Sequence, residues 1–355
     1  MNKGHNQPNV ANDATGQTLT AASFSNILKT MAFPSGMDPS GSQHSDDNPI
    51  TDSMATALVV PTLNAGNGFV EWLAVLKKQT VRPQRLLLID SASTDSTVEM
   101  AADSGFEIKS IDRRDFNHGG TRQLAVAELS DSELIIFMTQ DALLASPDAL
   151  EVLLKGMRDP RVGAAYGRQL PRRRSSSIEA HARLFNYPTD SHVRDRSDIS
   201  RFGIKASFLS NSFAVWRRSA LVEIGGFPTC LIQNEDAWAA SKLIQAGWKI
   251  AYCSAATVHH SHGYGFMQEF RRYFDIGVFH ADQRWIRDSF GHAGGEGLRF
   301  VRSEIKHLLR TNPALIPSAL VRTGLKLIGY KLGTLQDKLP PRVRPWLSVN
   351  KQYWT

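Results

Sequence analysis

The sequence predicts an α/β fold with a mostly parallel, mixed central sheet flanked by helices and followed by a C-terminal helical extension. Three observations carry this. Ala57-Leu58-Val59-Val60, Arg85-Leu86-Leu87-Leu88-Ile89-Asp90 and Leu134-Ile135-Ile136-Phe137-Met138 are short apolar runs of strand length. Helical spacing occupies the segments between the first runs, and alternation of strand and helix implies parallel pairing through crossovers. Polar residues follow each run, where a parallel sheet binds its ligands.

Taken in order, residues 1–54 are rich in Ser, Asn, Asp, Gly and Thr and hold little periodic apolar content, so they are expected to form a disordered tail. The texture changes at Ala55. The first strand ends at Pro61, and Val70, Leu73 and Leu76 give Phe69 to Gln79 helical spacing. After the second strand, Ser91-Ala92-Ser93-Thr94-Asp95 supplies capping residues for a helix from Ser96 to Gly105, and Glu107-Ile108 resumes extended structure. A helix from about Thr121 to Leu129 then leads into the strand that ends at Met138. Between Arg168 and Phe208 the pattern dissolves into basic and polar sequence, read as a long mobile loop with helix around Ile178 to Phe185. Trp238 to Gln245 forms a helix closed by Gly247, and Lys249-Ile250-Ala251-Tyr252 is a strand. The expected organisation is a tail over 1–54, a catalytic domain over 55–280 and a basic amphipathic helical extension over 281–355.

Composition narrows the function classes. The two cysteines, Cys230 and Cys253, have no metal-type spacing and cannot build a disulfide framework, which fits a reduced cytoplasm. The amino-terminal segment lacks a signal-peptide pattern and no run reaches the length of a membrane span, so a soluble or peripheral protein is expected. The net charge of +7 is concentrated late: from Arg299 to Arg344 there are ten Lys and Arg residues against two acids. Interleaved with Leu315, Ile316, Leu320, Val321, Leu325, Leu327 and Ile328, they suit an anionic membrane surface or a solvated face on packed helices. Nucleic acid is disfavoured, because the Arg172-Arg173-Arg174 run has no aromatic interleaving and no binding module with it.

The chemistry-bearing residues stand after the apolar runs. Pro61, Thr62 and Asn64 follow the first, Asp90 ends the second and is suited to a base or ribose, and Thr139-Gln140-Asp141 follows Met138. Asp141 suits a hard cation bridging phosphate oxygens. His118-Gly119-Gly120 with Arg122 places backbone N–H groups and positive charge where a helix begins, which favours a diphosphate. Glu235 and Asp236 open a helix, and His259-His260-Ser261-His262 follows a strand, where an imidazole is available to a metal bound at Asp141.

Taken together, Ala57 to Asn64, Ile89 to Asp95, Thr139-Gln140-Asp141-Ala142 and Asn234-Glu235-Asp236 resemble the family 2 inverting glycosyltransferases of the GT-A (nucleotide-diphospho-sugar transferase) fold, over about Ala55 to Phe279. Phe116 to Arg122, Thr139 to Ala142, His260-Ser261-His262 and Phe270 to Gly277 are similar to bacterial rhamnosyltransferases that use dTDP-L-rhamnose. The resemblance implies a nucleotide pocket at Pro61, Thr62, Asn64, Asp90, Ser91 and Ser93, with His118, Gly119, Arg122 and Gln140 completing the donor site. It implies Asp236 as catalytic base, with Glu235 positioning the acceptor or the helix start. It places Asp141 at the last position of an Asp-x-Asp metal motif whose first carboxylate is here Thr139, so that a weakly held Mg²⁺ or Mn²⁺ is expected, with His260 the first additional ligand and His262 the second.

The implied partners are a nucleotide-sugar donor and a saccharide or lipid-linked saccharide acceptor, with a peripheral location at the inner face of the cytoplasmic membrane and a place in O-antigen or other cell-surface polysaccharide synthesis. Three alternatives remain: another nucleotide sugar as donor, a non-catalytic scaffold on a degenerate domain, and a dinucleotide-binding oxidoreductase. The last is disfavoured because Pro61-Thr62-Leu63-Asn64-Ala65-Gly66 is not Gly-x-Gly-x-x-Gly.

Overall fold

A computed structural model describes residues 54–291 and 295–354. The tail expected over 1–54 lies, Met54 apart, outside the described residues. Strands β1 (Thr56–Thr62), β2 (Arg85–Asp90), β3 (Glu107–Ser110) and β4 (Leu134–Met138) pair in parallel, connected by helices α1 (Gly68–Lys77), α2 (Thr97–Asp103) and α3 (His118–Glu128). Successive side chains enter opposite cores, because a strand alternates its faces. Ala57 and Val59 pack with Ile135 and Phe137 on one side, and Leu58 and Val60 pack with Phe69, Trp72 and Ile136 on the other.

The second half of the sheet is mixed. It holds β5 (Leu143–Leu144), β6 (Val162–Leu170), β7 (His192–Arg194), β8 (Phe213–Arg217) and β9 (Lys249–His259), giving the order β3-β2-β1-β4-β8-β6-β9-β5 with β7 paired to β9. β8 runs antiparallel to both β4 and β6, and β6 runs parallel to β9. Helices α4 (Ala149–Lys155), α5 (Ser177–Asn186), α6 (Arg218–Glu223) and α7 (Glu235–Gln245) surround this half. The segment 168–208 is therefore not one loop: it contains the end of β6, then α5 and β7. Val-Gly-Ala-Ala-Tyr-Gly reads poorly as a strand, since Gly and Ala are weak strand formers, yet neighbours on both sides hold β6 in the ladder.

Two helices begin three residues earlier than their spacing predicts. Asn117 Oδ1 accepts from the N–H of Gly120 at 2.6 Å and starts α3 at His118, so the glycine pair lies inside the first turn rather than before it. Gly119 is required there because a Cβ would stand 1.8 Å from the carbonyl oxygen of Pro228. Asn234 adopts the left-handed conformation at φ 63° and turns the chain so that α7 begins at Glu235.

α8 (Phe266–Asp282) crosses position 280 without a break and is followed by α9 (Arg284–Phe290), α10 (Glu296–Thr311) and α11 (Ile316–Thr334). The described residues all fall within one unit, Pro49–Thr355. α8 and α11 meet through Gly277, Gly329 and Gly333, where backbones approach so closely that a Cβ on Gly333 would stand 2.0 Å from Phe274 O. Among the described residues no helix is long and apolar enough to cross a membrane. Gly333→Ala forces these helices apart and is expected to destabilise the protein by roughly 1–3 kcal/mol, the usual range for overpacking. A lower urea midpoint at an unchanged slope would show it.

Candidate active site

A cleft of about 840 Å³ opens at the carboxyl ends of β1, β2 and β4. Of the expected residues, Pro61, Thr62, Ser91, His118, Arg122, Gln140 and Asp141 line it. Asp90, Asn64 and Ser93 instead build its floor and rim. Asp90 is buried and accepts from Thr62 Oγ1 at 3.0 Å, Ser93 N at 2.8 Å and Ser93 Oγ at 2.6 Å. Asn64 Oδ1 accepts from the N–H of Thr94 at 2.8 Å. These bonds clamp β1 to the β2 loop, where Ala92 sits at φ 63°, an uncommon conformation for a residue with a Cβ. Gln140 joins the next loop: its amide accepts from Leu63 N at 2.9 Å and donates to Leu63 O at 3.1 Å.

Asp141, His260 and His262 converge. The Nε2 atoms of His260 and His262 lie 3.4 and 3.6 Å from Asp141 Oδ2, and one donor atom from each residue lies within 4.8 Å of the others. Strand β9 brings the histidines there by a break in register: Gly167 pairs with Cys253 but Arg168 pairs with Thr257, so the bulged residues redirect the strand end. His260 Nδ1 stands 2.9 Å from Gln169 Oε1, which also accepts from Arg183 Nη1 at 2.6 Å. Because an arginine only donates, that amide oxygen is an acceptor, so His260 carries a proton on Nδ1 and turns Nε2 towards Asp141. Burial pushes His262 down to about 4, leaving it neutral at physiological pH. Burial opposes the ionisation of Asp141, yet its contacts with His260, Thr139 and His262 hold its carboxyl well below the usual range. One carboxylate and two imidazoles fit a divalent cation such as Mn²⁺.

The second centre is the start of α7. Glu235 is buried and accepts from Arg122 Nη1 at 2.8 Å. Burial resists its ionisation, but Arg122 outweighs that and keeps the carboxyl below its ordinary value. Asp236 accepts only backbone N–H groups, from Asn211 at 3.2 Å and Ala237 at 2.8 Å. Burial, and then the Glu235 charge beside it, push Asp236 up to about 7. Arg122 borders the cleft, and its Nη1 bonds both Glu235 and His118 O at 3.0 Å; Gly119 does not line the cleft. The loop before β8 connects the two centres: Gln169 Nε2 donates to Ser210 Oγ at 3.1 Å, and Asn211 reaches Glu235 and Asp236.

Inspection of strand carboxyl ends missed Asn211 because β8 is antiparallel, so its amino end meets the site. It missed Gln169 because β6 itself was not read as a strand. It also missed Val349 to Tyr353, which form one wall of the cleft. Asp275, fully buried on α8, accepts from Val349 N at 3.0 Å, Asn350 N at 3.2 Å and Asn350 Nδ2 at 3.1 Å and so fixes that wall. A lone carboxylate on the apolar face of Phe270, Phe274 and Val278 was the available signal.

Sheet topology, cleft and carboxylate pair together define a GT-A glycosyltransferase. Residues 57–225 match the family model of Glycosyl transferase family 2. The chain is 49% identical over 302 residues to the O-antigen chain rhamnosyltransferase RfbN of Salmonella typhimurium, covering 85% of this chain and 96% of that protein. It is 48% identical over 298 residues to the O-antigen chain rhamnosyltransferase WbaN of Salmonella anatum, covering 84% and 95%. The solved mannosyltransferase PcManGT from Pyrobaculum calidifontis, in complex with GDP-Man and Mn²⁺, shares the fold at a TM-score of 0.55 and 20% identity, over 81% of this chain and 88% of that one. The chain belongs to glycosyl transferase family 2 and is an enzyme.

His260→Ala is expected to abolish measurable Mn²⁺ binding by isothermal titration. Gln169→Leu, which removes only the acceptor behind His260, is expected to weaken it about 10–100-fold, as loss of such outer partners does.

Proposed function

We propose that this enzyme transfers L-rhamnose from dTDP-L-rhamnose to a saccharide acceptor, lipid-linked, in O-antigen or related surface-polysaccharide synthesis, with inversion at the anomeric carbon. One observation carries the chemistry: Asp236 is a carboxylate paired with no cation and raised to about 7, whereas adjacent Glu235 is neutralised by Arg122. A base titrating near the working pH removes a proton most effectively. The acceptor hydroxyl oxygen forms its bond to the anomeric carbon as the bond to the diphosphate oxygen breaks. The electron pair leaves with dTDP, and the hydroxyl proton passes to Asp236. The choice of rhamnose is supported by the near-half identity to two O-antigen rhamnosyltransferases.

The donor lies in the 840 Å³ cleft, its nucleoside end towards Thr62, Asn64 and Asp90 and its diphosphate towards Asp141. Asp141, His260 and His262 hold the cation, Mg²⁺ or Mn²⁺, which when bound neutralises charge on the leaving diphosphate. Arg113, Arg114 and Lys351 line the same cleft and add positive charge.

The enzyme works peripherally at the inner face of the cytoplasmic membrane. α11 exposes Leu320, Val321, Leu327 and Ile328, at 50, 54, 66 and 55%, on one helical face beside exposed Lys331. An apolar stripe with basic neighbours suits an anionic lipid surface. Leu327→Glu with Ile328→Glu is expected to cut co-sedimentation with phosphatidylglycerol vesicles without affecting dTDP binding. Equal recovery of both proteins with the vesicles would remove the membrane assignment.

The donor is tested by melting-temperature shifts with dTDP, UDP and GDP, each with and without Mn²⁺. The largest rise is expected with dTDP and Mn²⁺, since a ligand at 100 times its Kd stabilises by about 2.7 kcal/mol. A larger rise with UDP or GDP replaces the donor, and no rise with any of them favours a scaffold. Asp236→Asn should keep the dTDP shift and lower turnover by about 10²–10⁴, the usual contribution of a general base. The wild-type kcat/KM should fall tenfold per unit as pH drops below about 7, because protonation removes the base, and level off above it. A pH profile without this acidic limb would reject Asp236 as the base.

A further inference from the structure

A second cavity, of about 400 Å³, lies between α5, α8, α10, α11 and the turn after β9. His262 lines it and also belongs to the Asp141 cluster, so the cavity borders the donor side of the site. Its volume lies within the roughly 300–1,000 Å³ of small-molecule sites.

The polar groups in it are poorly used by the protein. Glu304 is only 2% exposed, faces this cavity, and has no hydrogen bond or ion pair among the described residues. Burying such a carboxylate without a partner is unfavourable, and burial accordingly raises its pKa. Glu269 lies beside it with Arg322 at 3.1 Å and Lys326 at 3.5 Å, yet its Oε2 accepts no aligned hydrogen bond. Glu304 thus offers an unused acceptor to the cavity, beside the ion-paired Glu269.

The cations do not make it an anion site. Arg322 and Lys326 face Glu269, and Arg322 also donates to Tyr264 O at 2.7 Å. Arg183 is engaged with Gln169, and Arg272 donates to the Tyr264 hydroxyl. A phosphate entering here would meet cations already paired and the uncompensated Glu304. A neutral ligand with several hydroxyl groups satisfies Glu304 as a donor and leaves the ion pairs of Glu269 in place.

We propose that this cavity binds a sugar unit of the acceptor saccharide, with Glu304 accepting a hydrogen bond from one of its hydroxyl groups. Assignment of that sugar to the acceptor rests on the glycosyltransfer reading, whereas sugar binding itself does not. The cavity then accounts for the fused C-terminal helices: α10 and α11 carry Glu304, Arg322 and Lys326.

The test is saturation-transfer NMR on the full chain with methyl glycosides of glucose, galactose, mannose and N-acetylglucosamine. Glu304→Leu removes the carboxylate at similar volume, and Ala182→Phe fills the cavity from α5. At least one glycoside is expected to bind wild type and to bind both variants about tenfold or more weakly, the effect of losing a hydrogen bond to a charged group. Both variants should retain the dTDP melting shift. Failure of all four glycosides to bind wild type, or unchanged binding in both variants, overturns the proposal. Glycoside binding lost in the variants, with no dTDP shift in wild type, upholds the sugar cavity while removing the donor assignment.

Discussion

Arg122 and Glu235 lie almost wholly out of water, and a buried charge persists only while its partner is present. The pair joins the first turn of α3 to the first turn of α7, so the two helices approach the cleft in one fixed relation. It also fixes Glu235 as an anion. Burial, and then this neighbouring negative charge, make Asp236 ionise reluctantly, whereas Arg122 keeps Glu235 ionised. Two adjacent acids of nearly identical sequence context thereby take different roles. The close contact of Gly119 with Pro228 belongs to the same constraint, since any side chain there would push α3 away from the loop that leads into α7.

The metal-binding side depends on a different device. β6 and β9 run parallel, then lose register, and the displaced end of β9 carries His260 and His262 towards Asp141 at the end of β4. Gln169, on the partner strand, sets the tautomer of His260. The same residue is bonded to Ser210, whose neighbour Asn211 holds Glu235 and Asp236. Metal ligands and base are therefore supported from one loop, and a shift of that loop would disturb both.

The C-terminal helices are built into the enzyme. Glycines in α8 and α11 let their backbones touch, and Asp275 on α8 returns the chain end to the donor cleft. Burial pushes Asp275 up to about 6, and the three amide donors, which bind the ionised carboxylate best, oppose that rise. The other faces of these helices carry the exposed apolar stripe of α11 and the second cavity.

Much of this was legible in the sequence. The parallel half of the sheet and its helices could be read because buried parallel strands are continuous apolar runs, and Thr62, Asp90 and Asp141 stood out because ligands follow such runs, whereas Asp236 was singled out as base by the family resemblance. The resemblance to family 2 glycosyltransferases rested on the same residues. What the sequence by itself could not determine is which polar groups face ligand and which face protein. Asp90 and Gln140 have the chemistry of ligand-binding residues but bond Thr62 and Ser93, and Leu63, while Arg122 lines the cleft and also pairs with Glu235. β6, β7 and β8 were hidden because their strand character comes from neighbours distant in sequence. Gln169, Asn211 and the Val349–Tyr353 wall are functional only through such contacts, since an antiparallel strand, a register break and a buried carboxylate bring together positions that no local pattern relates.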